Sequence, residues 1–380
     1  MDVDFPWYST WAGADPVFPA LVLPTSGLSY GVLRERTEEE RRRLAGAGLN
    51  PGDRVVVDVP DPESWVVALL ATLAAGAQAI LPDSDWSPSR RRRALAPLSP
   101  GFQLRTGRKG ALHLIRSGQA ADPGCDLPAG AGVWLFTSGT TAAPVPHFRD
   151  AALLRLMVER LRARWPAGLA RSRPAVVSTA PLAHGFALLN SLLLTHAIGG
   201  TLVQSDAEDA AATVGRVFRH EARVLFAWPA HVRTLARRRL WPRHGGSTLE
   251  WCVSSSYRLE PEVARRFFEC SGCRVRSQYG MTETGPLCLD GADPPSAHAY
   301  CVGPPLDGVE LEIVDARNEP APPGARGRLR VRVDGVGLAP QDDPRAFWHT
   351  GDIGRIDPQG RVFVYGRANP FTDERREIYA

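Results

Sequence analysis

GVWLFTSGTTAAP, residues 132–144, is the stretch on which the reading of this chain turns. Its first half, GVWLFT (132–137), is a short apolar run with the composition of a buried strand. Its second half, FTSGTTAAP (136–144), packs Ser, Thr and Gly onto the end of that strand. Such a run leaves backbone N–H groups unspent and adds hydroxyl donors, which is how a loop wraps polyphosphate oxygens. The order G-x-x-x-x-G-K-[ST] of the Walker loop is absent. Taken alone, the stretch also reads as an ordinary loop.

Working outward, the same grammar repeats. Upstream, TEEE (37–40) fits a capping box before a charged helix ending near Gly46–Gly48. NPGD (50–53) is a turn and RVVVDV (54–59) a β-branched strand. Asp61-Pro62 is a helix cap followed by a first-turn proline; VVALLATLAA is the helix, stopped by Gly76, and AQAILP the next strand. Downstream, strands AVVSTA, TLVQ, RVLFAW, EWCVSS and RVRSQYG alternate with helical stretches at Ala151–Arg164, Phe186–His196, His231–Arg239 and Pro261–Glu269. Strands separated by helices at this spacing imply an α/β protein with mostly parallel sheets covered on both faces. Past residue 300 the pattern changes to VELEIV, GRLRVRV and RVFVYG, short alternating strands between Pro, Gly and Asp turns, which predict a small antiparallel β subdomain. The domain reading is two α/β subdomains over 1–299, the antiparallel subdomain over 300–366, and a hinge and tail over 367–380.

The 380 residues carry a formal net charge of +4 and 44% hydrophobic residues, so a sizeable core can form and no nucleic-acid stripe is expected. The short cluster Arg90–Arg93 reads as a solvated helix start, or alternatively as a phosphate or nucleic-acid patch. Basic residues are almost all arginine; Lys109 is the single lysine. Of six cysteines, Cys270 and Cys273 form a C-x-x-C pair with no second pair following, which favours reduced structural thiols over redox or zinc chemistry. The acidic start MDVDFPWYS argues against a signal peptide, and the apolar stretch Trp65–Leu81 reads as helix then strand rather than a membrane span. A cytoplasmic protein is expected.

Three further motifs follow in order. Tyr279-Gly280-Met281-Thr282-Glu283 offers a ring for a base, a hydroxyl for a phosphate and a hard oxygen for Mg²⁺. Trp348-His349-Thr350-Gly351-Asp352 places a carboxylate at what reads as a turn, where it could accept from two ribose hydroxyls, and Gly366-Arg367 adds a donor for the same sugar. Each is weak alone.

Together, in this order and spacing, the four motifs resemble the adenylate-forming superfamily of acyl-CoA synthetases, adenylation domains and luciferases. The resemblance covers nearly the whole chain: LSYGVLRERTEEERRRLAGAGLNPGDRVVV resembles the family's opening segment, PLAHGF (181–186) its acyl-pocket segment, and CVGPPLDGVELEIVD and PGARGRLRVRV its β subdomain. It implies the stacked, mostly parallel βα sheets of the acyl-CoA synthetase-like N-terminal domain plus the antiparallel subdomain. It also implies ATP and Mg²⁺. Thr137, Ser138, Gly139, Thr140 and Thr141 would hold the β- and γ-phosphates, and Tyr279-Gly280 would meet adenine beside a wall of Ser254, Ser255 and Ser256. Thr282 would meet the α-phosphate, Glu283 the metal, and Asp352 and Arg367 the ribose. His184 would stand where carboxylate and thiol meet, or, structurally read, would cap a helix start.

The chain departs from that family in three places. Ala142, Pro144 and Val145 stand where the loop usually has glycine, proline and lysine. Asn369 stands at the hinge, usually aspartate or lysine. The sequence runs only to Ala380, without the family's C-terminal domain and its catalytic lysine, and ERREIYA does not resemble that domain's start, so a natural end is expected. Losing such a charge-stabilising contact typically costs about 10²–10⁴ in rate. Three readings stay open: a partner protein supplies the C-terminal domain; the chain activates acids slowly, helped by Arg375 or Arg376; or it has become a binding or scaffold protein. A further alternative, another nucleotide-dependent transferase or an acyl-adenylate hydrolase, rests on fold analogy. Amino-acid-activating members place an aspartate shortly after the PLAH-like segment; His184–Asn190 contains no acid, and a buried ammonium without a partner would be costly. An aryl or medium acyl acid is therefore expected, with Phe186 and Asn190 lining its pocket, and a carrier-protein or CoA thiol as acceptor.

Overall fold

Capped helices alternating with β-branched runs have one stable arrangement, strands side by side with helices on the faces, and the computed structural model shows it. The structure describes residues 14–107, 111–117, 128–137, 144–242, 247–292, 295, 298, 300–336 and 346–368. The chain divides into two units, one drawn from 1–159 and 170–205, the other from 160–169 and 206–380.

The first unit opens with β1 (Pro19–Val22) and β2 (Gly27–Ser29), then α1 (Tyr30–Gly46). Ser29 caps α1, its hydroxyl accepting from the Val32 N–H at 3.3 Å. The capping box expected at Thr37–Glu40 is therefore not one. Those residues lie inside the helix, where backbone donors are already paired, and Glu38 and Glu40 instead bind Arg41 and Arg43 on the next turn at 2.7 and 2.6 Å. β3 (Arg54–Asp58), α2 (Pro62–Ala74), β4 (Gln78–Ile80), α3 (Pro88–Leu95), β5 (Phe102–Thr106), β6 (Leu112–Arg116), β7 (Gly132–Phe136) and β8 (Pro146–Asp150) follow. Asp61 caps α2 as expected, accepting from the Ser64 N–H at 2.8 Å. Trp65 to Leu73 are all buried, the signature of a helix covered on every side. The sheet order is β6-β5-β3-β4-β7-β8, with β3, β4, β5 and β7 parallel and the two edge strands antiparallel. Val56, Ile80, Leu98 and Trp134 form the core against it.

After α4 (Ala151–Arg162) come β9 (Ala175–Ser178) and β10 (Thr201–Gln204), which with β1 and β2 make the run β9-β10-β1-β2, parallel except for β2. The helix expected over Phe186–His196 is present but is a π-helix over Ala187–Leu194, with a short α-helical turn at Thr195–Ala197.

The second unit holds α5 (Ala210–Arg219), β11 (Val224–Ala227), α6 (Pro229–Leu235), β12 (Trp251–Ser254), α7 (Pro261–Ser271), β13 (Val275–Met281) and β14 (Gly285–Leu289). β11, β12 and β13 are parallel and β14 closes a hairpin on β13. The helix expected over His231–Arg239 stops at Leu235, and a 3₁₀ turn over Arg238–Leu240 replaces its end. The remaining strands, β15 (Cys301–Gly303), β16 (Val309–Val314), β17 (Arg326–Val333), β18 (Trp348–Ile356) and β19 (Val362–Arg367), form one antiparallel sheet in the order β15-β19-β18-β17-β16. Thr350-Gly351-Asp352, expected at a turn, lies inside β18 instead. Gly351 takes φ +77°, so the turn-like composition bends a strand rather than ending one.

Candidate functional site

In the second unit, three of the sequence-predicted residues meet. Asp352 and Arg367 are direct partners in the β18–β19 ladder. The Arg367 Nε lies 3.4 Å from Asp352 Oδ1, and its Nη1 donates to the Thr350 carbonyl at 2.8 Å. From β13, the Tyr279 hydroxyl donates to Asp352 Oδ2 at 2.5 Å. Thr350 fixes the backbone beneath: its Oγ1 donates to the Leu329 carbonyl at 3.0 Å and accepts the Asp352 N–H at 3.1 Å. Thr350 lies in a motif the sequence marks, but nothing there distinguishes its role from that of its neighbours. Burial pushes the Asp352 carboxyl above its ordinary range and the nearby charge of Glu283 pushes the same way; the Tyr279 hydrogen bond and the Arg367 charge oppose them. Burial, then the Asp352 charge, raises the Tyr279 phenol.

Local sequence explains how Tyr279 is aimed. The β13–β14 register shifts between Tyr279 and Gly280, a bulge of the kind that redirects a side chain beside a site. A Cβ on Gly280 would fall 2.5 Å from the Gly285 carbonyl oxygen, so only glycine lets the two strands close there. Thr282 and Glu283 sit in the turn that joins them. Ser254, at the end of β12, shares a ladder face with Tyr279; its hydroxyl is buried with no hydrogen-bond partner in the protein. Ser255 donates to the Gln278 carbonyl at 2.9 Å, and exposed Ser256 takes φ +78°. A ring and a buried unpartnered hydroxyl on the paired strands β12 and β13, with a buried carboxylate from β18 held by the ring hydroxyl, fit a purine ribonucleotide.

The first unit carries the other predicted residues. Thr137 closes the β7–β8 hairpin: its N–H donates to the Val145 carbonyl at 3.1 Å and its Oγ1 accepts the Val145 N–H at 3.0 Å. Ser138, Gly139, Thr140 and Thr141, with Ala142, lie outside the described residues, as do Lys109, Cys125, Asn369, Arg375 and Arg376. His184 begins the π-helix segment, its Nδ1 accepting the Phe186 N–H at 3.3 Å. That is the capping geometry the structural reading expected, and it leaves the proton of the neutral ring on Nε2. Burial lowers the His184 pKa, and the charge of Asp83 works against it. Asp83 carries no motif, and no sequence signal pairs it with His184. A Cβ on Gly185 would lie 3.3 Å from Leu135 Cδ1, so this segment runs beside the end of the strand that leads into the Ser/Thr/Gly loop.

Phe186 is buried and Asn190 fully so. The Asn190 Nδ2 donates to the Phe186 carbonyl at 3.0 Å, while its Oδ1 has no hydrogen-bond partner. π-helical segments recur at functional sites, and nothing in the residue pattern foretells one.

Among the described residues no group of three or more His, Cys, Asp or Glu is placed to hold a metal ion. Mg²⁺ carried on phosphates needs only one or two protein carboxylates, and Glu283 fits that requirement. In the C-x-x-C pair, burial pushes the Cys273 thiol up to about 12, leaving it almost no thiolate at neutral pH. No helix among the described residues is long and apolar enough to cross a membrane.

Comparison with known proteins gives the family of the chain. The family model described as AMP-binding enzyme matches residues 8–339. The chain is 28% identical to salicyl-AMP ligase / salicyl-S-ArCP synthetase of Mycobacterium tuberculosis, over 90% of this chain and 68% of that protein. It is also 28% identical to 2-hydroxy-7-methoxy-5-methyl-1-naphthoate–CoA ligase of Streptomyces carzinostaticus, over 90% and 70%. Among solved structures it resembles O-succinylbenzoate coenzyme A synthetase of Bacillus subtilis in complex with AMP, with a TM-score of 0.79 and 19% identity over 95% of this chain and 78% of that one. The family match and these relatives define the class, that of AMP-forming acid–thiol ligases. The chain belongs to the AMP-binding enzyme family.

Proposed function

We propose that this chain activates an aryl or medium acyl carboxylic acid with ATP and passes the acyl group to a carrier-protein or CoA thiol. The cluster of Asp352, Arg367 and Tyr279 supports this most directly, because a buried carboxylate held between a cation and a ring hydroxyl suits a ribose diol. In this reading Tyr279 and Gly280 face adenine beside Ser254, Ser255 and Ser256. Thr282 meets the α-phosphate, and Thr137 with the loop Ser138–Thr141 meets the β- and γ-phosphates. Glu283 holds Mg²⁺, which supplies neutralisation of phosphate charge when bound. The acid's carboxylate attacks the α-phosphorus, the bond to the β-phosphate oxygen breaks, and pyrophosphate leaves. The thiol sulfur then attacks the acyl carbonyl carbon and AMP leaves. Anion meets anion in the first step, so alignment and charge stabilisation carry the rate. His184, neutral and protonated on Nε2, is a hydrogen-bond donor beside the acyl site rather than a cation.

The neutral amide of Asn190 supports an acid without an ammonium group. Its unpartnered Oδ1 further favours a substrate that brings a hydrogen-bond donor, such as a hydroxy- or amino-aryl acid. The names of the two curated relatives, salicyl and hydroxynaphthoate, lie in that class.

The test is acid-dependent ATP–pyrophosphate exchange across aryl, fatty and amino acids, with mass detection of the adenylate. Exchange strongest with a hydroxy- or amino-aryl acid is expected, and Asn190→Leu should shift preference about ten-fold toward the unsubstituted acid. Preference for an amino acid would sink the substrate class. A second reading, a nucleotide-binding scaffold without turnover, is favoured by Val145: a half-exposed valine occupies the usual position of the loop lysine. ATP binding with no exchange, even with a lysine-bearing C-terminal domain supplied as a separate protein, would select it.

A further inference from the structure

Building on the nucleotide assignment of the proposed function, we infer that the Tyr279 hydroxyl is a positioning group for ribose recognition. It holds the Asp352 carboxylate in the orientation that receives the sugar hydroxyls, a task separate from any contact of the ring with the base.

Asp352 is 6% exposed, so it depends on protein donors for its orientation. Arg367 is a loose one: its side chain is 69% exposed, and its Nε stands 3.4 Å from Oδ1. The Tyr279 contact to Oδ2, at 2.5 Å, is short and charge-assisted. Its lever arm is rigid, since an aromatic ring has two rotatable bonds and this one is set by the bulge at Gly280. The Thr350 Oγ1 in turn fixes the Asp352 backbone N–H. The carboxylate is thus held from its side chain by β13 and from its backbone by β18. An ionised carboxyl has about four acceptor sites. Tyr279 and Arg367 occupy one on each oxygen, which leaves one on each for a vicinal diol.

The experiment measures binding of ATP and of 2′,3′-dideoxy-ATP, which lacks both ribose hydroxyls, to the wild-type chain and to Tyr279→Phe. No acid turnover is needed. Phenylalanine keeps the ring and removes only the hydroxyl. Tyr279→Phe should weaken ATP about ten-fold or more and leave 2′,3′-dideoxy-ATP within about two-fold. In an Asp352→Asn background the same change should add no more than about two-fold, because the group it positions is gone. That background also removes the buried charge that Tyr279→Phe leaves without its donor, so the cycle stays measurable if the single variant is unstable.

Equal weakening of both nucleotides would overturn the inference in favour of a general effect on the ring. So would a penalty that persists undiminished beside Asp352→Asn. Failure of the wild-type chain to bind ATP would overturn the nucleotide assignment itself. ATP binding without pyrophosphate exchange leaves the inference standing while the catalytic reading fails.

Discussion

Asp352 is a carboxylate whose surroundings, on balance, oppose its charge. Its pKa is raised because burial and the charge of Glu283 outweigh the help from Tyr279 and Arg367. A raised folded-state pKa means the native state holds the proton more tightly than the unfolded chain does. The associated stability is fully present below the unfolded pKa and is lost as pH rises through the folded one. Asp352→Asn removes that loss. The variant should therefore be at least as stable as the wild type at neutral pH, with its relative stability falling as pH drops through the Asp352 pKa. Thermal melts at matched pH values read this directly; a variant clearly less stable at pH 7 than at pH 4, relative to wild type, would contradict it. Function should move the other way. Ribose hydroxyls need the ionised form as acceptor, so ATP affinity of the wild type should fall as pH drops through the same pKa, and Asp352→Asn should bind ATP weakly with that dependence gone. A carboxylate kept at a stability cost while it serves the ligand marks a residue set for binding rather than for folding.

At the scale of elements, the hairpin β13–β14 shows what residue order conveys and what it hides. RVRSQYG reads as a strand because its neighbours alternate, and it is one; its Tyr-Gly bulge and its pairing with β14 follow from a close approach that only the folded backbone reveals. Gly280→Ala places a methyl 2.5 Å from one backbone atom and 2.8 Å from another, neither able to swing aside. It should cost about 1–3 kcal/mol in denaturant melts and weaken ATP by turning Tyr279 from Asp352; unchanged stability would mean the strands separate there easily. Parallel strands such as β11 are legible more directly: both faces are buried, so their composition is continuous and apolar. β5 and the edge strand β6 beside it carry no clear strand signal, because FQLRT and LHLIR mix polar and charged residues among the apolar ones where part of the surface meets solvent. The π-helix at Ala187–Leu194 was legible as a helix but not as this helix, since an apolar run such as ALLNSLLL satisfies either hydrogen-bond ladder. Among the proposed site residues, Tyr279, Asp352 and Arg367 lie in motifs the sequence marks, and the fold brings these three together. Asp83 comes near His184 only in the folded chain, and Thr350, though it sits in the Trp348–Asp352 motif, gains its Leu329 partner only there.

At the scale of the whole molecule, composition bears on how the proposed reaction would be stabilised. Of 45 basic side chains one is lysine, Lys109. Arginine is not a substitute where a compact, strongly hydrated ammonium must slip between a carboxylate and an α-phosphate: its guanidinium is larger, planar and built for fork-like pairing. Val145 removes the loop lysine as well. In the proposed reading, residues 1–380 offer the two approaching anions no lysine other than Lys109, and lacking such a charge costs about 10²–10⁴ in rate. The slow step should be adenylate formation and not nucleotide binding, because the groups proposed for ribose and base lie within the second unit and need no lysine. The 380-residue chain should therefore bind ATP with ordinary affinity yet exchange pyrophosphate slowly. A lysine-bearing C-terminal domain, added as a separate protein or fused, should raise exchange by about 10²–10⁴ with little change in KM for ATP, and Lys109→Ala should leave both unchanged. Fast exchange by the chain alone, abolished by Lys109→Ala, would instead show that its single lysine reaches the phosphates. A fall in KM with no rise in maximal exchange would mean that the added domain assists binding and that the missing charge is supplied by an arginine after all.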